Sequence, residues 1–210
     1  MNGVTLDIMS KRKRLIRKQE RHFSAHHMLI GAARSALQDA QGERRGSFHS
    51  QLTAMTFSAL AIEALCNSIG ERMIEAWKDF ESATPNAKLR LLAARLGIEY
   101  KKDAAPWAEA RRLVKFRNAI AHAKPEFVVE EKTLTEEEHN RRPSDRPESK
   151  LEKQITLGNA KRAVAAAVHI KELLCSKVPD EIALGLSVDA WSGRTSAYDD
   201  AQPVAAWGAR

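Results

Sequence analysis

Apolar residues recur every three or four positions through much of this chain, and that spacing is typical of amphipathic helices. The longest such stretch runs from Ser47 to Phe80, and another runs from Arg21 to Ala40. The longer stretch carries an apolar stripe at Leu52, Met55, Ala59, Ile62, Cys66, Ile69, Met73 and Trp77. We therefore predict two long helices, each with one face turned towards a shared core.

Start and stop signals mark three further helices. They run from Thr84 to Gly97, from Pro106 to Pro125, and from Thr156 or Asn159 to Pro179. A threonine or asparagine side chain can accept a hydrogen bond from the first turn of a helix. Glycine commonly follows the last turn, and proline cannot continue a helix.

Strand signals are slight, since only Phe127 to Val129 could form a short strand. We therefore expect an all-α fold, an up-and-down bundle of four to five helices, within residues 21–178. A long loop at 126–155 interrupts it, because that stretch is acidic, rich in proline and poor in apolar residues. Residues 1–20 read as a basic N-terminal arm, and 179–210 as an irregular tail.

The chain is basic, with a formal net charge of +7 over 210 residues and a pI of about 9.5. Such a charge favours partners that carry phosphates. The basic run is either an arm that grips an RNA backbone or the solvated first turns of a helix. The candidate nucleic-acid-binding residues are Lys11, Arg12, Lys13, Arg14, Arg17, Lys18 and Lys124.

The cysteines and the hydropathy pattern suggest a cytoplasmic protein. No uninterrupted apolar run of about 20 residues is present, so we expect no transmembrane helix, and the N-terminus lacks the apolar region of a secretory signal. Cys66 and Cys175 lie in apolar helical contexts, as expected for buried thiols in a reducing compartment. His22 and His26 are four residues apart, but no third ligand accompanies them, so neither a metal nor another cofactor is expected.

The helix before Pro125 carries polar groups in unusual positions. Leu113, Phe116 and Ile120 define its apolar face, and at about 100° per residue Arg117 lies roughly 40° from Leu113. A guanidinium turned inward needs an anion, because an unpaired buried charge is very costly. Either a carboxylate supplies that charge permanently, or a phosphate supplies it on binding.

Two more polar side chains follow on the same helix. Asn118 and His122 are four residues apart and lie one above the other. Arginine, asparagine and histidine together make a plausible metal-free site for phosphodiester chemistry, because histidine moves protons near neutral pH. Glu63, with Asn67 one turn further on, is either a boundary residue of its amphipathic helix or the permanent carboxylate partner of Arg117.

This motif resembles a known family. Arg117 and Asn118, followed after three residues by His122, resemble the Arg-polar-x-x-x-His signature of HEPN domains, a superfamily of helical nucleotide-binding proteins and ribonucleases. The helix from Phe57 to Asn67 resembles the family's earlier helix, which often carries a glutamate and an asparagine four apart. The resemblance covers residues 23–178.

The resemblance implies a metal-independent endoribonuclease that cleaves single-stranded RNA in a cleft between two subunits. The ribose 2′-hydroxyl would attack the neighbouring phosphorus, with His122 as general acid or base and Arg117 stabilising the developing charge. Asn118 would hold His122 or the phosphate in register. Glu63 and Asn67 would hold Arg117 in position without contacting the RNA.

Proteins of this kind include toxins and antiviral defence effectors, so the expected partners are RNA, a second copy of the chain and an antitoxin or other regulatory protein. The alternative is a non-catalytic HEPN-like module for dimerisation or nucleotide binding. A DNA-binding regulator is a third hypothesis, but the chain shows no recognition-helix signature. The loop at 126–155 either covers or regulates the site, or is solvated and has no role.

Overall fold

The computed structural model describes residues 15–42, 46–141 and 146–197. Within that part the protein is mostly helical, with one two-stranded sheet. The helices belong to one compact unit, Phe23–Asp189, and the two strands belong to another. The helical prediction is therefore confirmed in outline, but the fold is not purely α.

The sheet pairs β1, Leu15–His22, with an antiparallel strand, Ala190–Ala197, at the far end of the described chain. Arg17 and Lys18 are exposed on β1, whereas the basic residues before them lie outside the described residues. The prediction of a helix from Arg21 is wrong here. The predicted irregular tail, 179–210, contains a helical turn at Asp180–Ala183 and this strand, and residues 198–210 lie outside the described residues. A pairing between segments so far apart leaves no short-range signal in the sequence.

The helical unit begins with α1, Ala25–Gln41, α2, Ser47–Met73, and α3, Pro85–Arg95. The helix predicted through Phe80 ends instead at Met73, and Trp77–Phe80 form a separate 3₁₀ turn. That turn folds the buried indole of Trp77 back onto α2 at Gly70, where a Cβ atom would overlap the ring. A glycine in the last turns of α2 thus permits the reversal.

The second half of the unit contains α4, Trp107–Ala121, α5, Glu136–Arg141, α6, Leu157–Cys175, and the single turn α7, Asp180–Ala183. The predicted caps are confirmed. Thr84 accepts a hydrogen bond from the N–H of Ala87 at 3.3 Å, and Thr156 rather than Asn159 caps α6, accepting from the Asn159 N–H at 3.1 Å.

Helix α2 is central, since it packs against α1, α3, α4 and α6. The predicted stripe of α2 lies in this core, with Ile62, Cys66 and Ile69 almost fully buried. By length and composition α2 could also cross a membrane, with a mean hydropathy of 1.4 over a stretch that is 50% buried in the bundle. The core helix of a bundle has the same properties, so the absence of a transmembrane helix stays a prediction.

The segment around α7 docks onto the bundle through its backbone carbonyl groups. His26 Nε2 bonds the carbonyl oxygen of Leu186 at 2.9 Å, and His27 Nε2 bonds that of Gly185 at 3.1 Å. Arg72 donates to two further carbonyls of this segment, and Leu186 itself is fully buried. This part of the predicted tail is therefore ordered, and His22, on β1, does not share a helix with His26.

Candidate functional site

The packing of α4 against α2 forms the centre of the candidate site. Arg117, on α4, donates from Nη2 to Oε2 of Glu63, on α2. The two side chains are 29% and 24% exposed, so the ion pair is half-buried with one side open to solvent. The predicted pairing of Arg117 with Glu63 is confirmed, because two apolar faces bring α2 and α4 together and leave these charges at the edge of the contact.

A second bond fixes the guanidinium plane. Arg117 donates from Nη1 to the amide oxygen of Asn118 at 3.0 Å. Because the guanidinium is planar and carries five N–H donors, two bonds through different nitrogens set its orientation and leave donors for a ligand. Asn118 thus orients the arginine, and its role in holding His122 or a phosphate stays a prediction.

Lys88, on α3, is the member of the cluster that sequence reasoning missed. Its side chain is only 1% exposed, and its ammonium donates to the amide oxygen of Asn67 at 2.9 Å. The same ammonium lies 3.9 Å from Oε1 of Glu63 and 6.0 Å from the ring centre of Trp77. The prediction that Asn67 helps to hold Arg117 is therefore wrong, because its amide oxygen contacts Lys88 instead.

The signal for Lys88 was present in the sequence. Pro85, Leu89 and Leu92 form the buried face of α3, and Lys88 lies within that stripe. Like Arg117, Lys88 is a cation on the apolar side of its helix, so it too needs a partner for its charge. One carboxylate, Glu63, thus lies between two cations, and the cluster carries a net positive charge that favours an anionic ligand.

Cys66 lies beneath this cluster but cannot act as a nucleophile there. Burial raises the pKa of its thiol to about 12, and the residue is fully buried. Cys175 is buried too, with its thiol against the carbonyl of Leu186, and both cysteines are free, as predicted. Chemistry at the site therefore depends on nitrogen and oxygen groups.

His122 occupies the C-cap of α4, so the helix ends before Pro125 as predicted. Its backbone N–H bonds the carbonyl of Asn118 at 3.0 Å, and the residue is exposed. Ideal helical geometry places it roughly 140° around the axis from Arg117. The structure thus brings together Glu63, Arg117 and Asn118, while the imidazole of His122 lies outside their hydrogen-bonded cluster.

The segment after the motif runs extended and exposed. Lys124 is exposed. The short strand considered at Phe127 to Val129 is not formed, and the side chain of Phe127 is 93% exposed. Further along, α5 and an ion pair between Arg146 and Glu152, at 2.6 Å, give the predicted loop some local order. Among the residues described, no hydrogen bond or ion pair links this loop to the Arg117 cluster.

The part of the chain that the structure describes contains no group of three histidine, cysteine or acidic residues placed to hold a metal ion. No protein-family model matches the chain, and no curated protein and no solved structure is significantly similar to it. The resemblance to HEPN domains therefore depends on the motif residues themselves.

Proposed function

We propose that the protein is a metal-independent endoribonuclease of the HEPN type, acting on single-stranded RNA. The observation that supports this best is the half-exposed Arg117 guanidinium, oriented by Glu63 and Asn118 near the end of the helix that closes with an exposed His122. The cluster is positively charged and half-open, as a site for a phosphodiester must be.

In the proposed reaction, the ribose 2′-oxygen attacks the adjacent phosphorus as a base removes its proton. The bond from phosphorus to the 5′-oxygen then breaks, and that oxygen takes up a proton. The products are a 2′,3′-cyclic phosphate and a 5′-hydroxyl, so no metal or external nucleophile is needed. Arg117 stabilises the charge on the phosphoryl oxygens, and His122 transfers a proton.

The proposed active form is a homodimer. One imidazole cannot serve at once as the base for the attacking oxygen and the acid for the leaving oxygen, whereas two copies of His122 facing one cleft can divide these roles. A cytoplasmic nuclease of this kind inhibits growth when it is unrestrained, so we further propose a toxin or antiviral effector that a regulatory protein holds inactive.

Cleavage in excess chelator tests the proposal. The purified protein should cut single-stranded RNA to 2′,3′-cyclic phosphate ends but leave DNA intact, since DNA lacks the attacking hydroxyl. His122→Ala should lower the rate by about 100-fold or more. His169→Ala is the matched control, because His169 is exposed on α6 and does not belong to the motif, so the rate should stay unchanged.

The alternative is a non-catalytic HEPN-like module, and the ion pair favours it in one respect, because Arg117 also fastens α4 to α2. In that case RNA stays intact under every condition, while Arg117→Ala lowers the melting temperature. If Arg117→Ala abolishes cleavage yet leaves the circular dichroism spectrum and the dimer mass unchanged, the alternative is excluded.

A further inference from the structure

A basic groove runs beside α4 outside the Arg117 cluster. It consists of two adjoining cavities of about 740 Å³ and about 460 Å³, which share Asn86 and Arg111 as lining residues. The walls come from α3, from the connection before α4 and from α4 itself. We call this feature the α3–α4 groove.

The charge of the groove is strongly one-sided. Its lining contains five cations, Arg90, Lys102, Arg111, Arg112 and Lys115, and one carboxylate, that of Asp103. Two of the cations are paired, with Arg111 to Asp103 at 3.1 Å and Arg112 to Glu109 at 2.9 Å. The other three are exposed and have no carboxylate partner among the residues that the structure describes.

The groove shares one face of α4 with Asn118 and His122. Arg111, Lys115, Asn118 and His122 follow at intervals of four, three and four residues, so they lie within an arc of roughly 60° on α4. The rise of a helix places the first and last of them roughly 16 Å apart. A chain with a charge on every repeat could therefore follow this face from the groove to His122.

The floor of the groove favours a nucleic acid over an acidic peptide. Tyr100 and Ile98 are half-buried lining residues, and the ring of Tyr100 packs against Trp107 with 4.9 Å between centroids. Unpaired bases stack on such supported aromatic surfaces while basic side chains hold the phosphates.

We propose that the α3–α4 groove binds a single strand of RNA and delivers it along α4 to Asn118 and His122. The delivery rests on the proposed ribonuclease function, whereas binding in the groove does not. RNA binding in the groove and RNA cleavage can therefore be refuted independently of each other.

The test measures binding without cleavage. The probe is a fluorescent RNA of about 12 nucleotides in which every 2′-hydroxyl is methylated, so that no attacking group remains. Its affinity is measured by anisotropy between about 50 and about 200 mM salt. The groove variant combines Arg90→Gln, Lys102→Gln and Lys115→Gln. The control variant combines Lys150→Gln, Lys153→Gln and Lys177→Gln, which removes three exposed charges that do not line the groove.

We expect the groove variant to bind about tenfold or more weakly, and the slope of log affinity against log salt to fall in magnitude by about 2. The control variant should stay within about twofold of wild type. Equal weakening in the two triple variants would overturn the proposal, as would a polyglutamate peptide that binds wild type more tightly than the RNA. If the groove binds RNA as expected but unmodified RNA is not cleaved, the proposed nuclease function is wrong and the proposed RNA-binding groove is still supported.

Discussion

At the residue scale, the informative feature is a lysine that is nearly excluded from water. Lys88 is 1% exposed, and its ammonium has contacts with an amide oxygen, a carboxylate and an aromatic ring. Its aliphatic stem also fills space in the core beside Trp77. Packing and charge therefore make separate contributions at this position, and two substitutions can separate them.

Lys88→Ala should lower the free energy of unfolding by about 3 kcal/mol, because it leaves a cavity in the core. Lys88→Met, which keeps the volume but loses the charge, should cost about 1 kcal/mol, since Glu63 retains Arg117 as its partner and the exposed Asn67 can bond water. Urea unfolding measures both. Arg90→Ala, an exposed change on the same helix, should cost no more than about 0.5 kcal/mol. An equal loss in the Met and Ala variants would show that charge dominates.

At the element scale, the end of α2 positions α3. The chain reverses after Met73, the indole of Trp77 packs on Gly70, and α3 then places Lys88 over that ring. Trp77 is 2% exposed, so its ring is enclosed by the protein. The location of Lys88 beside Glu63 thus depends on a glycine far from the motif.

Gly70→Ala should therefore destabilise the protein by about 2 kcal/mol or more, because the added methyl group overlaps a buried indole. The matched control is Gly31→Ala, on the exposed side of α1, where an added Cβ has no neighbour within 4 Å. That change should stabilise the protein by about 0.5 to 1 kcal/mol, since alanine favours a helix over glycine. Thermal unfolding of both variants measures the contrast, and a Gly70→Ala variant as stable as wild type would refute the packing argument.

At the scale of the whole helical unit, the docking of the α7 segment introduces a pH dependence. Burial lowers the pKa of His26 to about 4, and the positive charges of His27, Lys171 and Arg72 act in the same direction. The carbonyl of Leu186 can only accept, so Nε2 carries the proton of the neutral ring. Nδ1 has no partner and would have to take up the second proton in a buried position.

The stability of the protein should therefore fall in acid. The unfolded chain takes up a proton at His26 below about pH 6.5, whereas the folded chain does so only near pH 4. The neutral His26 therefore contributes fully to the stability of the folded state above about pH 6.5, and this contribution is lost as the pH falls towards 4. The free energy of unfolding should drop by about 2 kcal/mol from pH 7 to pH 5 on account of this residue. His26→Gln should abolish that part of the drop in urea titrations, and His169→Ala should not.

Local spacing along the sequence was sufficient to place most of the helices, although not the end of α2 at Met73 or the strand β1. Helical periodicity and capping residues located α2, α3, α4 and α6. The inward position of Arg117 predicted an anionic partner, and in the structure that partner is Glu63. The helices and the inward position of Arg117 follow from spacings of three and four residues, which set the faces of one helix regardless of the rest of the fold, whereas the pairing with Glu63 joins two helices.

Only the tertiary structure decided the contacts between distant segments. It paired β1 with the strand at 190–197, placed Lys88 against Asn67 and Glu63, docked Leu186 on His26, and opened a basic groove between α3 and α4. Residues far apart in the chain meet only where the packing of whole helices puts them, and no periodicity in either segment records that meeting. Apart from the pairing of Arg117 with Glu63, the partner of each polar side chain outside its own helix thus depended on the fold.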